Sequence, residues 1–166
     1  MEKINVYEHA EDILKILAKG AFLNTAADGK INTMTIGWGS LGFQWGQPTF
    51  TVMVRASRYT KGLIDANPEF TVSVPVNDGF QKALGICGSK SGRDIDKFQE
   101  AGLQIEQGQT VAVPVIKGCG LHIECKIVET EVMSAEQFDQ ELTARWYPNG
   151  DWHTNYTGVI TAAYIE

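Results

Sequence analysis

The sequence predicts a mainly β single domain, a barrel or curled antiparallel sheet with short peripheral helices. Three observations carry that expectation. The hydrophobic runs mostly alternate with period two, as in strands that bury one face. About six such runs are joined by hairpin signals and short helical stretches. Strict βαβ alternation is absent, which argues against a doubly wound parallel sheet.

The elements follow in order. Ala10, Ile13, Leu14 and Leu17 fall at helical spacing, with Gly20 as the stop. Ala21 to Ala26 and Lys30 to Gly39 flank Asp28–Gly29, a two-residue hairpin signal. Thr49 to Arg55 is a strand with Phe50, Val52 and Val54 on one face. A short helix from Arg58 to Ala66 ends before Asn67–Pro68, and Glu69 to Val76 is the next strand. Phe80 to Ile86 reads as a short helix, followed by the loop Gly88 to Gly92. Ser91 and Asp94 are placed to cap a helix running to Ala101, with Gly102 as its stop. Gly120 to Val132 is a long strand, and Ser134 with Gln137 forms a capping box for another helix. A Trp- and Gly-rich loop, Trp146 to His153, leads into a last strand near Tyr156 to Ile165.

Length and composition narrow the function classes. A chain of 166 residues suits one domain with its own core, spanning 1–166. With 43% hydrophobic and 20% charged residues, the chain is globular rather than disordered. A net charge of −6 argues against nucleic acid as a partner, though local basic clusters can still take a small anion. Met1 to Lys19 carries acidic residues and lacks the charge and apolar pattern of a signal peptide; no run has the length of a membrane span. Three cysteines without paired spacing complete the case for a cytoplasmic protein away from membranes.

Three stretches carry chemistry. In Arg55-Ala56-Ser57-Arg58-Tyr59-Thr60-Lys61-Gly62 a strand ends and a helix begins. Helix N-termini attract anions, and arginine forks with hydroxyls can grip a phosphate; a solvated turn with Ser57 as a plain cap is the alternative. In the strand Lys30 to Gly39, Asn32, Met34, Ile36 and Trp38 share one face, and Ile31, Thr33, Thr35, Gly37 and Gly39 the other. The small Thr/Gly face leaves room for a flat ring, though Thr is also ordinary in strands. The loop Gly88 to Gly92 with Arg93 allows close backbone approach beside Lys90, or is a plain connector.

Other chemistry is set aside. Gly37-Trp38-Gly39-Ser40-Leu41-Gly42 fits the dinucleotide fingerprint, but Phe43 to Pro48 cannot open the helix it requires. His122 and Cys125 point to opposite faces of a strand, and neither Cys119 nor His153 completes a metal-ligand spacing. No metal site and no side-chain catalytic dyad is expected.

The three stretches together resemble the flavin reductase-like family of FMN-binding split barrels, especially its flavoredoxin-type members. The matching residues are Asn32-Thr33-Met34-Thr35-Ile36-Gly37-Trp38, then Arg55 to Thr60, then Gly88-Ser89-Lys90-Ser91-Gly92-Arg93-Asp94 with Lys97-Phe98. The resemblance implies a split β-barrel, a homodimer and a noncovalent FMN near the dimer interface. It implies phosphate contacts at Arg55, Ser57, Arg58 and Thr60, with Tyr59 among the cofactor-binding residues. Thr33, Thr35 and Trp38 would lie along the ring and ribityl chain, and Ser89, Lys90 and Ser91 would approach from the second loop. The region of Trp152 and His153 would join the pocket, although Gly150-Asp151-Trp152-His153 departs from the simpler Gly-Asp-His pattern of many relatives.

The implied activity is an NAD(P)H-dependent FMN oxidoreductase, with Lys90 either the charge that stabilises reduced flavin or a plain surface charge. A ferric or nitro-compound reductase, or an FMN-holding carrier reduced by a partner protein, remains open. Trp45, Trp146, Tyr147 and Trp152 are either a partner-facing patch or core and dimer interface.

Overall fold

Ile13 and Leu17 bury the inner face of α1 (Ala10–Leu17), as their spacing predicts. The computed structural model describes residues 1–166. A two-residue strand, β1 (Glu2–Lys3), precedes this helix and pairs with the last strand of the chain. Asp28 and Gly29, at φ 51° and 74°, turn β2 (Ala21–Ala27) into β3 (Lys30–Ile36). The strand expected to reach Gly39 breaks at Gly37–Trp38, and Gly39–Gln44 becomes a separate strand, β4. Trp45 and Gly46, again at φ 51° and 74°, fold β4 onto β5 (Gln47–Arg55). A bulky residue at positive φ is uncommon, so this hairpin lacks the usual Asn or Asp signal. The glycines of the fingerprint-like run thus sit at a strand break and in a strand, with no helix behind them.

α2 (Tyr59–Ala66) follows, then β6 (Glu69–Pro75). α3 covers Gln81–Ser89, so Gly88 and Ser89 finish a helix rather than begin the loop. α4 (Lys97–Ala101) is capped by Asp96, whose carboxylate accepts from the amides of Phe98 and Gln99; Ser91 and Asp94 lie in the turn before it. Gly102 ends it in the left-handed conformation. Two short strands, β7 (Ile105–Glu106) and β8 (Val115–Ile116), pair with each other before β9 (Gly120–Val132). Ser134 caps only a single 3-10 turn, and Asp139 caps α5 (Gln140–Trp146). β10 starts at His153, three residues before the expected Tyr156, because its first residues pair with Arg55 to Met53 of β5.

The main sheet runs β3-β2-β6-β9-β10-β5-β4, antiparallel throughout. Its end strands, β3 and β4, are separated in sequence by only Gly37 and Trp38. The sheet therefore curls around its core yet leaves a seam without hydrogen bonds. Phe50, Val52, Val54, Phe70, Val72 and Tyr156 fill that core. A smaller cluster of Phe22, Ala83 and Cys87 fixes α3 to the outer face of β2 and β3. Cys125 packs inside the barrel, while its near neighbour His122 lies on the opposite face of the strand, fully buried rather than exposed, and bonds Ser73 and Glu166. No helix is long and apolar enough to cross a membrane.

Candidate functional site

The turn between β5 and α2 is closed by the Arg58 amide, which donates to the Arg55 carbonyl at 3.0 Å. Arg58 takes the cap position in an extended conformation without a side-chain cap. Ser57 does not cap the helix. Its amide and hydroxyl both donate to the Asp151 carboxylate, at 2.9 and 2.7 Å. The Arg55 guanidinium donates to the carbonyls of Asp151 and Trp146 at 3.0 Å each and lies over the Tyr147 ring. These two residues therefore tie the 147–152 loop to the turn. The exposed Arg58 guanidinium has no hydrogen-bond or ion-pair partner in the chain, and the residue sits at the start of a helix whose first-turn amides lack intrahelical partners.

The loop after α3 approaches from the other side. Lys90 pairs with Glu100 at 2.7 Å, with both side chains about half exposed. Ser89 donates to the Gly85 carbonyl, and Ser91 accepts the Arg93 amide. The Arg93 guanidinium crosses to the Ser57 carbonyl at 3.0 Å and packs on the Tyr59 ring. Gly92 is pressed against β3 and α2: a Cβ there would sit 2.7 Å from Tyr59 Cδ1 and closer still to Asn32 Oδ1. Lys97 is only 5% exposed. Its ammonium donates to the Cys87 carbonyl at 2.8 Å and forms no ion pair. Burial lowers its pKa, and the charge of Arg58 adds to that.

These groups line two adjoining cavities along the unpaired edge of β3. The first, about 130 Å³, is polar and takes Arg58, Lys90, Arg93 and Lys97 into its wall. The second, about 260 Å³, is lined by Met34, Trp38, Met53, Trp146 and His153, with Arg55 and Arg58 at its rim. Met34, Thr35 and Arg58 belong to both. Trp38 and Trp146 meet edge to face at 4.8 Å. His153 Nδ1 lies 2.6 Å from the Tyr147 hydroxyl. Burial, reinforced by Arg55, holds His153 down at a pKa of about 4, so its ring is neutral near pH 7.

Ten of the eleven residues singled out from sequence line one or both cavities: Thr35, Trp38, Arg55, Ser57, Arg58, Tyr59, Thr60, Ser89, Lys90 and Ser91. Thr33 does not. It pairs with Asn24 on the outer face of the sheet and is fully buried, with its hydroxyl unpartnered. The Thr35 hydroxyl is committed to the Leu84 carbonyl at 2.7 Å. The opposite face contributes instead: Asn32, which donates to the Thr60 hydroxyl, and Met34 both reach the cavities. That follows from β3 being an end strand, whose free edge exposes residues of both faces. Gly92 and Arg93 belong to the loop that the sequence offers as a possible phosphate contact, and Lys97 to the matching motif; all three line the polar cavity. Met53 carries no sequence signal, and Trp146 stands out in the sequence only as part of an aromatic patch, core or dimer interface, not as a wall of this cavity. The four aromatics do not make one patch: Tyr147 is buried and stacks on Trp152 at 4.2 Å, Trp146 faces the cavity, and Trp45 is exposed in a hairpin turn.

Residues 14–166 match the family described as flavin reductase like domain. Among solved structures, the chain is similar to flavoredoxin from Methanosarcina acetivorans, at 30% identity and a TM-score of 0.69, covering 89% of this chain and 68% of that one. It shares the fold of an FMN-binding protein from Thermus thermophilus, at 23% identity and a TM-score of 0.69, covering 89% and 71%. A protein of Archaeoglobus fulgidus is 32% identical over 100 residues, 60% of this chain and 55% of that protein. The match thus spans about half the length of that curated relative.

Proposed function

The chain belongs to the flavin reductase-like domain family, and from that premise we propose that its joined cavities hold FMN and that it carries electrons from NAD(P)H to an acceptor. The observation that supports this reading is the polarity of the pair. One cavity holds an unpartnered Arg58 and a buried, uncompensated Lys97; the other is lined by Met34, Met53 and Trp38. A buried ammonium without an anion is unfavourable, and a phosphate supplies the missing charge. The donor set suits FMN, whose dianionic tail and planar ring need one polar and one soft, apolar compartment.

When bound, FMN would supply the redox chemistry between a reduced nicotinamide and the acceptor. Arg58, Lys97 and Thr60 would bind the tail, while Met34 and Trp38 would shield the ring from water. His153 is held neutral and is not required as an acid or base. Glu100 already neutralises Lys90, which makes Lys90 a poor source of the charge that would stabilise reduced flavin. The same reading carries a homodimer, with exposed Phe43 and Trp45 on the β4–β5 hairpin as contact residues, and a cytoplasmic setting that keeps three buried thiols free.

Purified protein is expected to be yellow, to release FMN on denaturation, and to oxidise NADH or NADPH with free flavin or a ferric complex as acceptor. Colourless protein that also refuses added FMN overturns the reading. Flavin-loaded protein that ignores both nicotinamides but is reduced by a partner protein assigns the carrier role instead.

A further inference from the structure

Two outer grooves adjoin the cationic cavity. One contains Lys30, Ile31, Phe98 and Ile105, and the other Ala27, Gly62 and Ala66. Only Tyr59 and Arg93 line all three spaces, so they form the partition. Arg93 is exposed and Tyr59 half-buried, and two contacts hold them together. Arg93 donates to the Ser57 carbonyl at 3.0 Å, and its guanidinium packs on the Tyr59 ring 5.6 Å from the centroid. Gly92 leaves the loop so close to Asn32 and Tyr59 that no Cβ fits between them. The bridge joins the loop after α3 to the turn after β5, the same two segments that supply Arg58 and Lys97's cavity wall.

We infer that the Arg93–Tyr59 bridge is the specificity determinant of the site, closing its cationic end so that a flavin ending in a single phosphate is accepted and one extended by an adenylate is refused. The inference rests on the FMN reading above and goes beyond it by naming what excludes FAD. A terminal phosphate meets Arg58 and Lys97 and needs no exit. A pyrophosphate would have to continue beyond that phosphate, against the wall that the guanidinium and phenol ring form. Displacing them breaks a charged hydrogen bond and a cation–π contact. Discrimination of this kind comes from penalising the wrong ligand rather than from extra contacts to the right one.

The test is titration of the flavin-free full-length protein with FMN, FAD and riboflavin, followed by quenching of flavin fluorescence, in the native chain and in the Arg93→Ala and Tyr59→Ala variants. The native protein is expected to favour FMN over FAD by about tenfold or more. Both variants are expected to narrow that ratio, chiefly by admitting FAD, even where FMN affinity also falls. Equal affinity for FMN and FAD in the native protein overturns the gate and leaves the flavin reading intact. So does an unchanged ratio in both variants. If no flavin binds the native protein, the cofactor reading fails and the gate fails with it.

Discussion

Asp151 holds Ser57 by both of its donors, the amide at 2.9 Å and the hydroxyl at 2.7 Å, and so supplies from within the chain the anion that this turn is built to attract. The carboxylate titrates below its usual range, because the two Ser57 donors outweigh its partial burial. Asp151 itself takes a positive φ of 57°, a conformation that the tether helps to hold. Through this contact and the two bonds from Arg55, the 147–152 loop carries Trp146 to the rim of the apolar cavity.

Replacing Asp151 with Ala removes both hydrogen bonds at an exposed site. Stability is expected to fall by about 1–2 kcal/mol, read from the urea midpoint. The neighbouring Trp146 is expected to become more accessible to a fluorescence quencher. Unchanged quenching would show that Asp151 does not position the loop.

Lys97→Met separates the ligand-free from the loaded protein. The buried ammonium has a carbonyl partner but no carboxylate, and an apolar side chain of similar length relieves its desolvation. The ligand-free variant is therefore expected to be as stable as the native chain or more so, while FMN affinity falls by about 10- to 100-fold. A variant that loses stability without FMN and binds it normally would make Lys97 a purely structural residue.

Two glycines give opposite outcomes. Gly92→Ala pushes a methyl group into Asn32 and Tyr59 and is expected to cost about 1–3 kcal/mol, together with flavin binding. Gly85 lies inside α3 with nothing within 4 Å of an added Cβ, and Gly85→Ala is expected to stabilise by about 0.5–1 kcal/mol. Thermal melts of the pair check both signs.

Acid is expected to weaken the fold through His153. Its folded pKa of about 4 lies below the ordinary value of 6.5, so the unfolded chain takes up the proton first. The stability held by neutral His153 is complete above about pH 6.5 and is lost as pH falls towards 4. Burial also lowers His122, which acts in the same direction. Denaturation midpoints measured from pH 7.5 to 4 should decline less steeply in His153→Gln than in the native chain; parallel profiles would rule out His153 as a source of the slope.

Period-two runs in Phe50 to Val54 and Phe70 to Val74, the Asp28–Gly29 turn and the Gly20 and Gly102 stops were legible because each is a local backbone or packing preference. The clustering of Arg58, Thr60, Lys90 and Ser91 was legible too, since helix starts and Gly/Ser loops are read from short segments. Helix caps are only partly legible: Ser91 and Asp94 compete locally with Asp96, and Ser134 with Asp139, and only the path of the chain selects between them. What tertiary structure alone decided is which strand ends the sheet. Being last in the order leaves one edge of β3 unpaired, which brings Asn32 and Met34 to the cavities and leaves Thr33 under the outer layer. Strand order is a sum of distant pairings, and no window of sequence contains it. By the same route Asp151 reached Ser57 and Lys97 was buried beside Cys87, contacts set by where separate segments meet rather than by what any one of them prefers.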